Sequence, residues 1–200
     1  MKTKLLNLDK IYIFYLIIFL FFFTIYKQIA LQVIPGPVDD LLLLKNALNI
    51  ILGNWLGDYG QYTLSKGVGY PLFMSIGFIL DIDTKNLEFF FYAGTSLFFS
   101  LTISKILKNK IIGLIIFFFL ISNPFLFDYQ LARFVREGLY GSLVLLMVTF
   151  LINIIFLKKK SIKFSFFFFN IYFLVLDYKR RANLVNGINF CSFISTYFIK

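Results

Sequence analysis

Apolar and polar positions along this chain separate into long blocks instead of alternating. Apolar runs occupy 11–34, 87–107, 111–127, 138–157 and 163–176, and lysines collect between them. A helix rises 1.5 Å per residue and the hydrocarbon layer is about 30 Å thick, so a span takes roughly 17–25 mainly apolar residues. The blocks approach or meet that length, and none shows the alternation of a membrane barrel strand. The pattern predicts an all-α fold, a polytopic transmembrane helix bundle of about five spans.

The segment between the first two spans is different. Lys27 and Gln28 fall late in the first block, where long polar side chains snorkel to the interface. Pro35, Gly36 and Pro37 then end it, because proline cannot continue a helix. Asp39 and Asp40 follow as natural N-caps for a helix over 40–55. Leu41, Leu44, Leu48, Ile51, Leu52 and Trp55 share one of its faces, while Lys45, Asn46, Asn49 and Asn54 fall elsewhere. Such a helix lies in the membrane interface. Glycines at 57, 60, 67 and 69 mark turns beyond it. The apolar run 70–82 is short for a span and suits a second interfacial or re-entrant piece.

Charge decides the threading. If 70–82 does not cross and the N-terminus is cytoplasmic, the lysines at 2, 4, 10, 105, 108, 110, 158–160 and 163 all fall inside. The acids Asp39, Asp40, Asp58, Asp81, Asp83, Glu88, Asp128 and Glu137 then fall outside. The positive-inside rule favours this arrangement. It predicts a multi-pass protein of the plasma (inner) membrane, with the first block retained as a signal anchor and 35–86 as a large external loop.

After Asp177 the character changes. Lys179, Arg180 and Arg181 precede an asparagine-rich stretch. We therefore read 1–177 as the transmembrane module and 178–200 as an atypical tail, expected of a chain that ends partway through a larger architecture.

Composition narrows the chemistry. The chain is 60% hydrophobic and 15% charged, with a net charge of +10 and no histidine. The cations sit at the ends of apolar blocks, as membrane anchors do, so membrane lipids and not nucleic acid are the expected surroundings. Without histidine and with Cys191 as the only cysteine, zinc and haem have no ligand set. A metal would have to be a carboxylate-held divalent cation, magnesium or manganese being the expected cofactor.

Two charged clusters share the external side: Asp39 with Asp40, and Arg133, Arg136 and Glu137. Paired acids bind a divalent cation or act as a general base, and arginines clamp phosphate. The plainer reading stays open beside this one. Asp39 and Asp40 cap a helix, the arginines and Glu137 form a solvated loop, and Trp55, Tyr59, Tyr62 and Tyr70 make an interfacial aromatic belt.

The order of these features resembles the N-terminal half of the GT-C membrane glycosyltransferases, the polyprenyl-phosphate-sugar-dependent class that includes protein mannosyltransferases and lipid A aminoarabinose transferases. Pro35 to Asp40 would match the acidic motif opening the first external loop. Residues 53–59 and 66–73 would match the rest of that loop, and Asn123-Pro124 with residues 133–140 the second. The resemblance covers about residues 10–157. It implies Asp39 or Asp40 as catalytic base, with Glu137 as the second acid. It also implies a metal between Asp40 and Glu137, and Arg133 and Arg136 on phosphate. Val68-Gly69-Tyr70-Pro71 stands where many members carry a His-Pro-Pro element, and the family has more spans than this chain.

The expected function is therefore transfer of a sugar from a polyprenyl-phosphate carrier to an external acceptor, by a working, truncated or inactive member of that class. The alternative is a non-catalytic multi-pass protein acting as a lipid handler, carrier or scaffold subunit. Ion-coupled transport is disfavoured, since Asn153 is nearly the only strongly polar residue deep in a span.

Overall fold

A computed structural model describes residues 2–28, 39–58, 67–128 and 137–157, and these are helical with no strand. The helices are α1 (Lys2–Tyr26), α2 (Asp39–Ile51), α3 (Gly69–Ile79), α4 (Thr84–Leu107), α5 (Lys110–Ile121) and α6 (Glu137–Leu157). A short 3-10 turn, Pro124–Phe127, follows α5.

Local chemistry sets the boundaries. Asp83 opens α4 by accepting a 2.7 Å hydrogen bond from the Lys85 backbone N–H, and α4 closes on Lys108 in a left-handed conformation (φ 53°). Asn109 then caps α5 through the Ile111 N–H at 2.9 Å. These caps satisfy backbone groups that a helix end leaves open, and they make the α4–α5 connection very short. Helix α5 stops at Ile121, short of the expected 127, because Pro124 has no N–H to extend it. Helix α1 stops at Tyr26, before the expected 34, and 29–38 lie outside the described residues. Helix α2 unwinds after Ile51 through Gly53 (φ 77°), Trp55 (φ 50°) and Gly57 (φ 81°).

Four helices form a bundle whose directions follow from their contacts. Tyr15 meets Phe117 at 5.2 Å and Phe22 meets Phe127 at 5.8 Å, so α1 and α5 run the same way. The Tyr26 hydroxyl donates to the Lys85 carbonyl at 3.0 Å, which sets α1 antiparallel to α4. Phe98 meets Phe150 at 5.6 Å, and Asn153 Nδ2 donates to Thr102 Oγ1 at 3.0 Å, so α4 and α6 are parallel. Helices α2 and α3 pack on each other through Leu43, Ala47, Tyr70 and Met74, beside the start of α6 at Leu139.

The interior is mixed. An apolar cluster of Tyr15, Phe22, Phe89, Ala93, Phe117 and Ile121 is joined by Thr95, Ser96, Ser100, Thr102 and Ser104 of α4, all buried. Many leucines, isoleucines and phenylalanines also point outward, as at Ile17 and Phe21 of α1 and Ile111 and Phe119 of α5. Among the described residues, two helical stretches are long and apolar enough to cross a membrane, Thr84–Leu107 and Gly138–Leu157. Only 33% and 22% of their apolar windows is buried, so neither is a core helix sheathed in protein. The apolar part of α1, Lys10–Tyr26, and helices α3 and α5 are shorter. Among the described residues the all-helical expectation holds and two helices reach spanning length; the bundle of about five spans is not established by them. Block 163–176 and the tail 178–200 lie outside the described residues.

Helix α2 leaves its apolar stripe of Leu41, Leu48, Ile51, Leu52 and Trp55 exposed, as an interfacial helix does, and buries Asp40, Leu43, Asn46 and Ala47. Asn49 Nδ2 donates to the Leu56 carbonyl at 3.2 Å, holding the turn after α2.

Candidate functional site

One end of the bundle gathers the starts of α2, α3, α4 and α6. Glu88, at the second turn of α4, is the hub. The Tyr70 hydroxyl donates to its Oε1 at 2.6 Å, and Lys85 Nζ, one turn back, donates to its Oε2 at 2.8 Å. Glu88 is buried, with the ammonium of Lys85 only slightly exposed. A charged acceptor with two short donors is well satisfied, where an unpaired buried carboxylate would be costly.

Three helices close on this pair. Gly138 at the start of α6 lies directly on the Glu88 carboxylate: a Cβ there would come within 2.8 Å of Oε2. Tyr26 of α1 sets its ring 4.7 Å from that of Phe89, tilted by 31°, while its hydroxyl bonds the Lys85 carbonyl, so α1 is pinned at the same level. Asp40 in the first turn of α2 is completely buried (0% exposed). Leu43 and Ala47, further along the same helix, share a buried cluster with Tyr70 and Met74 of α3. The Tyr70 phenol is pushed above its ordinary value first by burial and then by the Glu88 carboxylate, so it is a neutral proton donor.

The expected site residues fall as follows. Asp39 and Glu137 are the first residues of α2 and α6, although their side chains lie outside the described residues, as do Arg133 and Arg136 entirely. Helix α2 shares a buried cluster with Tyr70 and Met74 through Leu43 and Ala47, and the start of α6 lies on Glu88, so the helices opened by the two acidic motifs both reach the Tyr70–Glu88 region. Acids in first helical turns sit at positive dipole ends, which eases their crowding.

Glu88, Lys85 and Tyr70 were not singled out from sequence. An ionisable group inside an apolar block was the available signal, and the Lys85–Glu88 spacing of one turn supported it. Tyr70 is a buried hydrogen-bond donor and not part of an exposed belt.

Among the described residues no three His, Cys, Asp or Glu side chains converge, and both Glu88 oxygens are engaged by Tyr70 and Lys85. The Glu137 side chain, expected to share a magnesium or manganese ion with Asp40, lies outside the described residues.

Compared with protein-family models, with curated proteins and with solved structures, the chain matches none.

Proposed function

We propose that the chain is a multi-pass membrane protein with a GT-C-like transferase site at its external end. The observation carrying this is that α2, which begins with the first acidic motif, packs on α3 beside Tyr70, whose hydroxyl bonds Glu88, while Gly138, next to Glu137 of the second motif, lies against the same Glu88.

The membrane part rests on helix directions. Helices α4 and α6 are parallel and of spanning length. If both cross, the chain joining them must return across the same thickness, through α5 and the 3-10 turn. Helix α1 lies alongside over the same depth, from Tyr15 level with Phe117 to Tyr26 level with Lys85. Helix α3 has 11 residues, about 16 Å at the usual rise, and is too short to cross. This supports at least four of the crossings expected from the apolar blocks. The end carrying Asp40 and Glu88 is then external, and the end carrying Lys10, Lys105, Lys108 and Lys110 cytoplasmic.

For the chemistry, Asp40, with Asp39 beside it, takes the proton of an acceptor hydroxyl. The acceptor oxygen bonds to the anomeric carbon of a polyprenyl-phosphate-linked sugar as the bond from that carbon to the phosphate oxygen breaks, with inversion. The bonding pair leaves with the phosphate. Lys85, the helix starts and the Arg133 and Arg136 side chains supply positive potential for it. No step is assigned to a metal.

One observation favours a second reading. Asp40 is fully buried and Glu88 has both oxygens paired, as in an interior clasp of a non-catalytic scaffold or lipid-handling subunit. The test is Asp40→Asn in the full chain, in membranes supplied with a polyprenyl-phosphate sugar. Loss of transfer with normal membrane insertion supports the transferase. Equal transfer by both proteins, or none by the wild type, favours the clasp.

A further inference from the structure

The opposite end of the bundle is built of different chemistry. Lys10 of α1, Lys105 of α4, Lys108 in the connection and Lys110 of α5 are all exposed. Their levels coincide: a Cβ on Gly113 of α5 would touch the Tyr15 hydroxyl of α1 and Ser104 Cβ of α4, at 2.8 Å and 2.7 Å. The corner where these three helices meet is therefore tight. Lys10 is about one and a half turns before Tyr15 on α1, Lys105 follows Ser104 on α4, and Lys110 opens α5 three residues before Gly113. Asp9 is the acid that the sequence places nearby, and residues 158–160, all lysine, follow the end of α6.

Immediately beside these cations the surface is apolar. Leu107 and Ile111, which flank Lys108 and Lys110 in the chain, are 53% and 62% exposed. A soluble polyanion would neutralise the lysines and leave that collar in water. A molecule with an anionic head and hydrocarbon tails satisfies both.

We infer that the α1–α4–α5 corner is a binding surface for acidic phospholipid of the cytoplasmic leaflet. The headgroup phosphate sits among Lys10, Lys105, Lys108 and Lys110, and the acyl chains lie on Leu107 and Ile111. This rests on the membrane reading above and is independent of any transferase activity. Each lysine near an anionic membrane surface contributes on the order of fivefold in association, weakened by salt.

The test uses the full chain in phosphatidylcholine vesicles doped with spin-labelled phosphatidylglycerol or spin-labelled phosphatidylcholine, read by electron paramagnetic resonance. The wild type is expected to immobilise the phosphatidylglycerol label severalfold more strongly at low salt. Lys105→Gln combined with Lys108→Asn and Lys110→Gln should bring the two labels close to parity. Asparagine suits the left-handed backbone at 108. A Lys105→Arg, Lys110→Arg control should keep the preference. Equal immobilisation by the wild type, or a preference that the neutral variant retains, overturns the inference and leaves the membrane reading standing. Capture of polyglutamate without lipid preference overturns it in favour of an acidic polypeptide. No immobilised component for either label overturns the membrane reading and this inference together.

Discussion

The Tyr70 hydroxyl on α3 donates a 2.6 Å hydrogen bond to Glu88 Oε1 on α4, inside the protein and across 18 positions of sequence. With Gly138 against Glu88, this bond ties the α2–α3 pair to the bundle. Tyr70→Phe keeps the ring and removes the donor, leaving Glu88 with Lys85 alone. A hydrogen bond to a charged group is worth about 1.5–3 kcal/mol, so the variant should unfold at clearly lower temperature in detergent micelles. An unchanged melting curve would show that the bond contributes nothing.

Alkali provides a related test. The Tyr70 phenol is raised above its ordinary value by burial and by Glu88. A raised group contributes stability that is present below its unfolded value of about 10 and lost as pH climbs through the folded one. The wild type should therefore lose stability above about pH 10 more steeply than Tyr70→Phe. Parallel pH profiles would contradict this.

Gly138→Ala puts a methyl group 2.8 Å from Glu88 Oε2. The carboxylate is held by two donors and cannot swing away freely, so overpacking should cost about 1–3 kcal/mol. Gly141, one turn on in the same helix, has nothing within 4 Å of a built Cβ. Gly141→Ala should be neutral or stabilising by up to about 1 kcal/mol, since alanine favours helix. Equal melting temperatures for the two variants would remove the close approach of α6 to Glu88.

Gly113→Ala tests the other end. Its methyl group would meet Ser104 Cβ at 2.7 Å and the Ser100 backbone carbonyl at 3.0 Å. Backbone yields less than a side-chain end, so the loss should be at least that of Gly138→Ala. Asn153→Leu, which removes the bond to Thr102, should cost only about 0.6 kcal/mol if the helices are in lipid. Chemical or thermal unfolding of the three variants side by side checks the ranking.

The sequence made the helical blocks legible because hydrophobic length is a direct physical requirement. The start of α2 at Asp39 was legible too, since proline and aspartate act locally. The buried side of α2 was not, because the stripe of Leu41 and Leu48 speaks only for the apolar face, and nothing local marks Asp40 and Asn46 as the residues that turn inward. The break at Pro124 was written in the chain, yet 111–127 was read as one span because composition outweighed a single proline. Glu88 was passed over as one of several external acids, because its partners come from α3 and α6 and only tertiary packing brings them together. What the side chains of Asp39, Glu137, Arg133 and Arg136 contribute lies outside the described residues.

The central claim is that the acidic helix starts and the lysine corner lie on opposite sides of a membrane. Single cysteines at the exposed positions Lys27, Asp58, Lys105 and Lys110, in a Cys191→Ser background, test it with a membrane-impermeant maleimide on intact cells. The account predicts labelling at 27 and 58 from outside, and at 105 and 110 only after the membrane is opened. Labelling of 58 and 105 from the same side, or recovery of the chain in the soluble fraction, would contradict it.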